Sequence, residues 1–530
     1  MRRSAELARP ALLLLAALAA PRPVAAQVSG VYRIYQGTAE LGRESFRRLG
    51  DTLVLETLVP VVNLRVSSRT VIGGEGFRSF TMSVTNATGD STRGSYDVRQ
   101  ADDSLRITGR LGRSTREVTR AGRPALVLPP QSTFMFAELV RRFPERDTTV
   151  QVLVAGPDSL MSVVLSYRGD SVRIGFAGLE FLGQRRGGGL GEFTIPAQRV
   201  RVVLASPTDT LLPLAGLRRP TPDYRAPAGA PWQAEEVRVP AGAGTDTFSL
   251  ACTLVRPIAG RAPFPVAVTI TGSGSQQRDE DLWPLLPAYR LFGEVAERLG
   301  AAGVASLRCD DRGAGESTGH ADSATTADLA EDTRAQLRWV RGRPDLDARR
   351  IALVGHSEGA MIAPLLGAQD RAVAALVLMA GPSKNGTEIL VDQVLWPIRT
   401  SPDLSPEVRA ERLAEAERQV RADSLPALPW LRWFRHYEPL RAARLVRQPV
   451  LILQGALDRQ VTAGQADTLA AAIRSSGNRR VDVEVFPGLN HLFLPSPTDG
   501  SPAEYAALGD ARIPDAVLDA LTTWLAATLR

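Results

Sequence analysis

Residues Ile351 to Met361, IALVGHSEGAM, place four apolar residues directly against a Gly-x-Ser-x-Gly turn and continue into small and apolar residues. The stretch reads as a buried strand, a sharp turn and a helix in immediate succession. Gly355 and Gly359 suit such a turn, because a Cβ at either position would clash where a strained chain packs closely. A serine at the centre of the turn is held out at the carboxyl end of its strand, with the N-terminus of the following helix aimed at it. Ser357 is therefore a candidate nucleophile; without its surroundings the motif would read as a turn serine.

On both sides of this stretch apolar strands alternate with amphipathic helices. Upstream come AEEVRVPA, FSLACTLVRP and FPVAVTITG, then a helix through LFGEVAERLGAAG, the strand VASLRCDD and a helix through ADLAEDTRAQLRWVRG. Downstream come AALVLMAG, PVLILQG, VDVEVFPG and a closing helix, DAVLDALTTWLAATLR. This alternation predicts an α/β fold with a mostly parallel sheet and helices on both faces. Between Gly381 and Val446 it stops. A helix-rich insertion over about 384–446 carries Trp396, Trp430 and Trp433 and is a candidate lid. The tryptophans fit an apolar acyl pocket, or simple packing of the inserted helices on the core.

From Val28 to Ser206 the pattern is different. Short runs such as DTLVLETLV, FRSFTMSVT, DSLRITGRL, TTVQVLVAG and QRVRVVLAS, separated by Gly, Asp and Ser turns, predict an antiparallel β-rich domain. One helix interrupts it, QSTFMFAELVRRF, with Phe134, Leu139 and Phe143 at core-like spacing. The region holds no histidine and no catalytic grouping. It reads as a binding or docking domain, or as one that shields its neighbour. Residues 207–232, rich in Pro, Gly and Ala, predict a linker, so the division is 27–206, a linker, and 233–530.

A chain of 530 residues exceeds one ordinary core, and 44% hydrophobic with 23% charged residues is a globular composition. Arg2, Arg3 and Arg9 precede the apolar run Ala11 to Ala20, and PVAA follows before Gln27. That pattern predicts a cleavable signal peptide over 1–26 and a secreted or periplasmic protein. The run is half of the roughly 20 residues a membrane span requires, so no stable membrane insertion is expected. A net charge of +6 does not point to nucleic acid, because 62 of the 63 basic residues are arginines spread along the chain and Lys384 is the only lysine. Cys252 and Cys309 are too few for a disulfide framework or a zinc site; a single bridge between them stays open.

A serine hydroxyl needs a base, and the chain has four histidines. His356 adjoins the serine inside the turn and points away from its hydroxyl. His320 follows the loop DRGAGESTG, and His436 lies in the insertion. His491, in FPGLNHLFL directly after a strand near the end of the chain, fits best. The residue that orients the imidazole should close a strand between serine and base; Asp458, in PVLILQGALDRQV, does so, although it could also be a cap or turn residue. Two backbone amides should face the developing oxyanion: that of Glu358, after the serine, and that of Gly274 in the glycine-bearing loop GSGSQQRDE, with Ser275 close behind. The Walker lysine is absent, so this loop is no phosphate cradle.

Together GSGSQQRDE, DDRGAGESTG, GHSEGA, ALDRQV and PGLNHLF, spread over the second half, resemble the bacterial EstD-type carboxylesterases and their serine-aminopeptidase-like relatives in the α/β-hydrolase superfamily. The resemblance implies a serine carboxylesterase acting on small-molecule esters through Ser357, Asp458 and His491, with no metal or organic cofactor. It also implies that Asp310 to Gly315 form a structural loop held by Arg312, and that an N-terminal β-domain is ordinary in secreted members. The sequence departs from the family at Cys309, Ser275 and Ala360, which bears on pocket shape. An aminopeptidase on the same scaffold, with the Glu358 side chain binding a substrate ammonium, and a non-catalytic binding protein are the alternatives.

Overall fold

The computed structural model describes residues 28–530 except 38, 60–63, 74–75, 87–91, 112–113, 131, 157, 177–178, 187–188, 206–220, 245, 284, 322–323, 403 and 423–428. The signal-peptide segment and most of the linker therefore lie outside the described residues.

The first half forms one fifteen-stranded sheet. Its first strand, β1 (Val28–Gln36), pairs antiparallel with its last, β15 (Val200–Leu204), in the middle of the sheet. On one side the strands meander in chain order to β8 (Ser114–Ala121); on the other they run back to β10 (Thr148–Val154), and β9 (Leu126–Leu128) closes the edge in parallel. The strands bury alternate residues, as in β3 (Thr52–Val59), which explains the period-two pattern of the sequence. Helix α1 (Phe134–Arg142) lies against this sheet with Met135, Leu139 and Val140 fully buried among Tyr32, Phe46 and Phe193. Glu44 fixes its start: the buried carboxylate accepts the N–H groups of Thr133 and Phe134, both at 2.6 Å, and the hydroxyl of Ser132. A carboxylate at that position answers the unpaired donors and the positive pole of the helix.

The second half carries an eight-stranded sheet. In chain order its strands are β16 (Trp232–Ala243), β17 (Asp246–Pro257), β18 (Phe264–Ile270), β19 (Ala305–Cys309), β20 (Leu346–His356), β21 (Val373–Met379), β22 (Val450–Gly455) and β23 (Val481–Phe486). Their spatial order is β16, β17, β19, β18, β20, β21, β22, β23. The pairings of β17 with β16 and β19 are antiparallel, and the other five are parallel. The central strands are covered on both faces and so read as unbroken apolar runs. Alternate residues of β20 serve the two layers. Ala352 and Val354 pack toward α2 (Leu291–Ala301) and α10 (Asp515–Thr528), whereas Ile351 and Leu353 pack toward α3 (Thr326–Arg341), α4 (Gly359–Gln369) and α9 (Gly464–Ser475).

Among the described residues four helices stand between β21 and β22, α5 (Gly386–Thr400), α6 (Pro406–Arg421), α7 (Pro429–His436) and α8 (Pro439–Ala443). Cys252 and Cys309, opposite each other in the β17–β19 register, form a disulfide. Among the described residues no helix is long and apolar enough to cross a membrane.

Candidate active site

Ser357 stands between β20 and α4 in the left-handed region, φ +52°, and is partly exposed. Such a backbone costs a side-chain-bearing residue about 1–3 kcal/mol and persists only where its surroundings enforce it. The flanking glycines are part of that enforcement. A Cβ on Gly355 would lie 2.2 Å from the Gly359 carbonyl oxygen, and one on Gly359 would lie 2.1 Å from that of Ile270. The Ser357 amide is anchored on the carbonyl of Met379, 2.9 Å away, at the end of the neighbouring strand.

Asp458 lies in the turn after β22 and is completely buried. Four donors surround its carboxylate. Oδ1 accepts the N–H groups of Gln460 and Val461, each at 2.8 Å; Oδ2 accepts Nε2 of Gln454 at 2.9 Å and faces Nδ1 of His491 at 2.8 Å. The last contact assigns the Nδ1–H tautomer to His491, leaving Nε2 as the basic nitrogen. The loop bearing His491 follows β23 and is folded on itself: the Asn490 side-chain oxygen accepts the N–H groups of Leu492 and Leu494. Gly455 lets that loop press on the end of β22, since a Cβ there would come 2.4 Å from the carbonyl oxygen of Asn490. Of the other three histidines, His320 is exposed in its loop and His436 is exposed at the end of α7, both apart from this pair.

After β18 the chain turns past the serine. A Cβ on Gly272 would touch the Ser357 Cβ at 3.4 Å, whereas Ser273, Gly274 and Ser275 lie exposed, Gly274 with φ +96°. This loop and DDRGAGESTG hold each other. The fully buried Arg278 grips Asp310 through Nε and Nη2 at 3.0 and 2.9 Å, and Asp311 accepts the N–H of Gln276 and the hydroxyl of Thr271. Arg312 pairs bidentately with Asp332 on α3, both contacts 2.7 Å, and so secures the loop from its other side.

Glu358 caps α4, but its side chain turns into the protein and is only 1% exposed. It accepts the hydroxyl of Thr326 and, on its two oxygens, the indole N–H of Trp430 at 2.8 and 3.0 Å. Burial raises its pKa, opposed by these bonds and by one from the Ser273 hydroxyl. Every partner is a neutral donor. The carboxylate that could have met a substrate ammonium is thus taken up in joining α7, α3 and the loop after β18.

His356 has a partner that the sequence did not reveal. Its Nδ1 lies 2.7 Å from Oε1 of Glu280, and its Nε2 lies 3.0 Å from the carbonyl oxygen of His491. Both neighbours are acceptors, and Oε1 of Glu280 also accepts the Gly272 N–H at 3.1 Å. A neutral imidazole carries one N–H and could satisfy only one acceptor, so with Glu280 ionised both bonds together require the imidazolium. Burial alone would lower the pKa of His356; the Glu280 charge and bond, the His491 carbonyl and the Asp458 charge outweigh it and raise the pKa above its ordinary value. A raised histidine stabilises the fold fully below the unfolded-chain value of roughly 6.5, and that stabilisation is lost as pH rises through the folded value. The difference in melting temperature between the native chain and His356→Gln is therefore expected to be largest near pH about 5.5 and to shrink above neutrality. A difference constant across that range would rule out the imidazolium.

The chain is similar to several known hydrolases. Residues 288–424 match the model of the serine aminopeptidase S33 family. The esterase EstD of Thermotoga maritima is 26% identical over 270 residues, which cover 50% of this chain and 63% of the relative. An uncharacterised Mycobacterium tuberculosis protein is 33% identical over 199 residues, 37% of this chain and 57% of that one. The chain thus spans less than two thirds of the length of these curated relatives. Among solved structures, an esterase of Pyrococcus furiosus aligns with a TM-score of 0.38 at 14% identity, over 56% of this chain and 92% of its own. Est1E of Butyrivibrio proteoclasticus aligns with a TM-score of 0.38 at 16% identity, over 55% and 99%. With its sheet order and its serine elbow the second half of the chain has an α/β-hydrolase fold, and its matched residues resemble the EstD-type esterases and the serine-aminopeptidase-like hydrolases.

Proposed function

We propose that the protein is a secreted or periplasmic carboxylesterase that works through an acyl-enzyme, with Ser357 as nucleophile, His491 as base and Asp458 as the residue that orients it. The observation that carries the reading is the buried Asp458–His491 pair at 2.8 Å, set at the same end of the sheet as a left-handed serine. Ser357 Oγ attacks the ester carbonyl while His491 Nε2 takes its proton. The tetrahedral oxyanion rests on the amides of Glu358 and Gly274, its collapse expels the alcohol, and His491 returns the proton to that alcohol. Water then repeats the sequence on the acyl-enzyme and releases the acid. No metal or organic cofactor enters these steps.

In the same reading residues 27–206 are a domain of their own, 207–232 a linker and 233–530 the catalytic domain, with the helices of the 384–446 insertion as its lid. Trp430 favours that role for α7, because its bond to Glu358 ties the insertion to the residue after the nucleophile. The Cys252–Cys309 disulfide favours an oxidising compartment, in keeping with export. The aminopeptidase alternative lacks its anchor, since the Glu358 carboxylate is already occupied.

Side-by-side turnover of p-nitrophenyl esters and aminoacyl p-nitroanilides tests the assignment. The esters are expected to be cleaved at least a hundredfold faster in kcat/KM, a gap of about 2.7 kcal/mol in transition-state stabilisation. Faster cleavage of the anilides would replace the esterase reading with the peptidase one.

A further inference from the structure

Between the long β-sheet and the second half lies a cavity of about 1090 Å³. This is at or above the upper end of the roughly 300–1,000 Å³ usual for small-molecule sites. Its two walls differ in chemistry. The β-sheet side offers Leu128, Phe136, Phe176, Leu179 and Phe181, with the Phe136 ring 5.5 Å from Phe176 and 4.6 Å from Phe181. The opposite side offers Gln393, Thr400, Arg459, Gln460 and Asp499 around the ring of Trp396.

Arg459 is the centre of the polar wall. Its guanidinium stacks on Trp396, 4.2 Å from the ring centroid, and its Nε donates to the carbonyl oxygen of Asp499 at 2.7 Å. Among the described residues no carboxylate forms an ion pair with it and its two terminal nitrogens make no hydrogen bond, while the side chain lines the cavity. The Asp499 carboxylate is engaged by the Trp396 indole N–H at 3.3 Å and the Ser501 N–H at 3.0 Å. Arg199 adds a second positive charge from the sheet side. The charged groups around the space are thus two arginines and one aspartate already in use. An apolar wall facing a polar one that presents the Arg459 guanidinium, across a volume suited to a long flexible molecule, matches a single-chain amphiphile with an anionic head.

We propose that this cavity binds one long-chain fatty-acid anion, its tail along the phenylalanines of the β-sheet and its carboxylate on Arg459. The placement sets the ligand beside the loop that carries Asp458. Arg459 follows Asp458 directly, and Gln460, also in the wall, donates its N–H to the Asp458 carboxylate. This role rests on the esterase reading: the ligand is then the acid released from a long-chain ester, held beside the loop that orients the base. Binding itself does not depend on that reading.

The test uses the full chain with Ser357→Ala, so that no acyl-enzyme forms, titrated with the fluorescent fatty acid cis-parinaric acid. One saturable site per chain is expected, with sodium myristate displacing the probe at least tenfold more effectively than tetradecanol. Arg459→Gln should abolish that preference for the anion and weaken the probe about tenfold, and Leu179→Glu should weaken it further. Arg459→Gln alters no residue of the β-sheet, so it remains decisive if Leu179→Glu misfolds. The proposal is overturned if no saturable site is found, if tetradecanol and myristate compete equally, or if Arg459→Gln binds like the parent. It is also overturned if alkylphosphonylation of Ser357 in the native chain displaces the probe, which would place the site at the serine. Failure of the esterase reading would appear separately, as absent phosphonylation or ester turnover with the titration unchanged.

Discussion

Ser357→Ala is expected to bring ester hydrolysis to background and to eliminate labelling by a fluorophosphonate, with a loss in kcat on the order of a millionfold. Only the hydroxyl is removed. Alanine meets the same left-handed backbone penalty as serine, and the glycines and the Met379 carbonyl that impose this conformation are unchanged. The variant should therefore melt within a few degrees of the native chain, so lost activity cannot be ascribed to unfolding. Any slow residual hydrolysis would reflect the amides that face the oxyanion rather than covalent chemistry. Stoichiometric labelling of the variant would remove Ser357 from the mechanism.

Asp458→Asn should cost about ten-thousandfold in kcat with little change in KM. The carboxylate is met by four donors, and an asparagine must place its NH₂ against two of them. At the Oδ1 position the NH₂ would face the two backbone N–H groups of Gln460 and Val461, which cannot turn away. At Oδ2 it faces the Gln454 side chain and His491, both of which can adjust. Gln454 can turn its amide at the cost of its Nε2 bond to the Val461 carbonyl oxygen, and His491 can shift its proton to Nε2. The second arrangement is the cheaper one, and it leaves the base with a proton where it needs a lone pair. Stopped-flow and steady-state rates of an ester substrate measure the effect; a kcat within tenfold of the native value would remove Asp458 from its role.

Much of the candidate site can be read from the chain because its signals are local. The run IALVG, the two glycines and the apolar helix that follows specify an elbow within eleven residues. Four histidines in the whole sequence make elimination practical, and strand ends indicate where Asp458 and His491 stand. What escapes such reading is pairing across distance. Nothing near Glu280 announces that it will meet His356, 76 positions away, and Gln454 appears only as the end of an apolar strand until its amide is seen on Asp458. The register that sets Cys252 opposite Cys309 is a property of two strands that are not consecutive in the sequence. In the first half, period-two alternation marks the strands but carries no record of which edges meet, so the joining of β1 to β15 within one continuous sheet was not legible. The cavity needed both halves in place, since each contributes only one of its walls.

The bond between Cys252 and Cys309 also acts on the unfolded chain, which it closes into a ring with a sequence separation of 57. Inside that ring lie β18, the loop that turns past Ser357, and α2. In the chain-entropy picture a ring of this size removes about 4 kcal/mol of denatured-state freedom. The restriction falls on the segment that packs against Ser357. An oxidised chain therefore searches far fewer arrangements before β17 finds β19 and the loop closes over the serine. The long sheet of the first half, which contains no cysteine, receives no such help and must find its register by side-chain pattern alone.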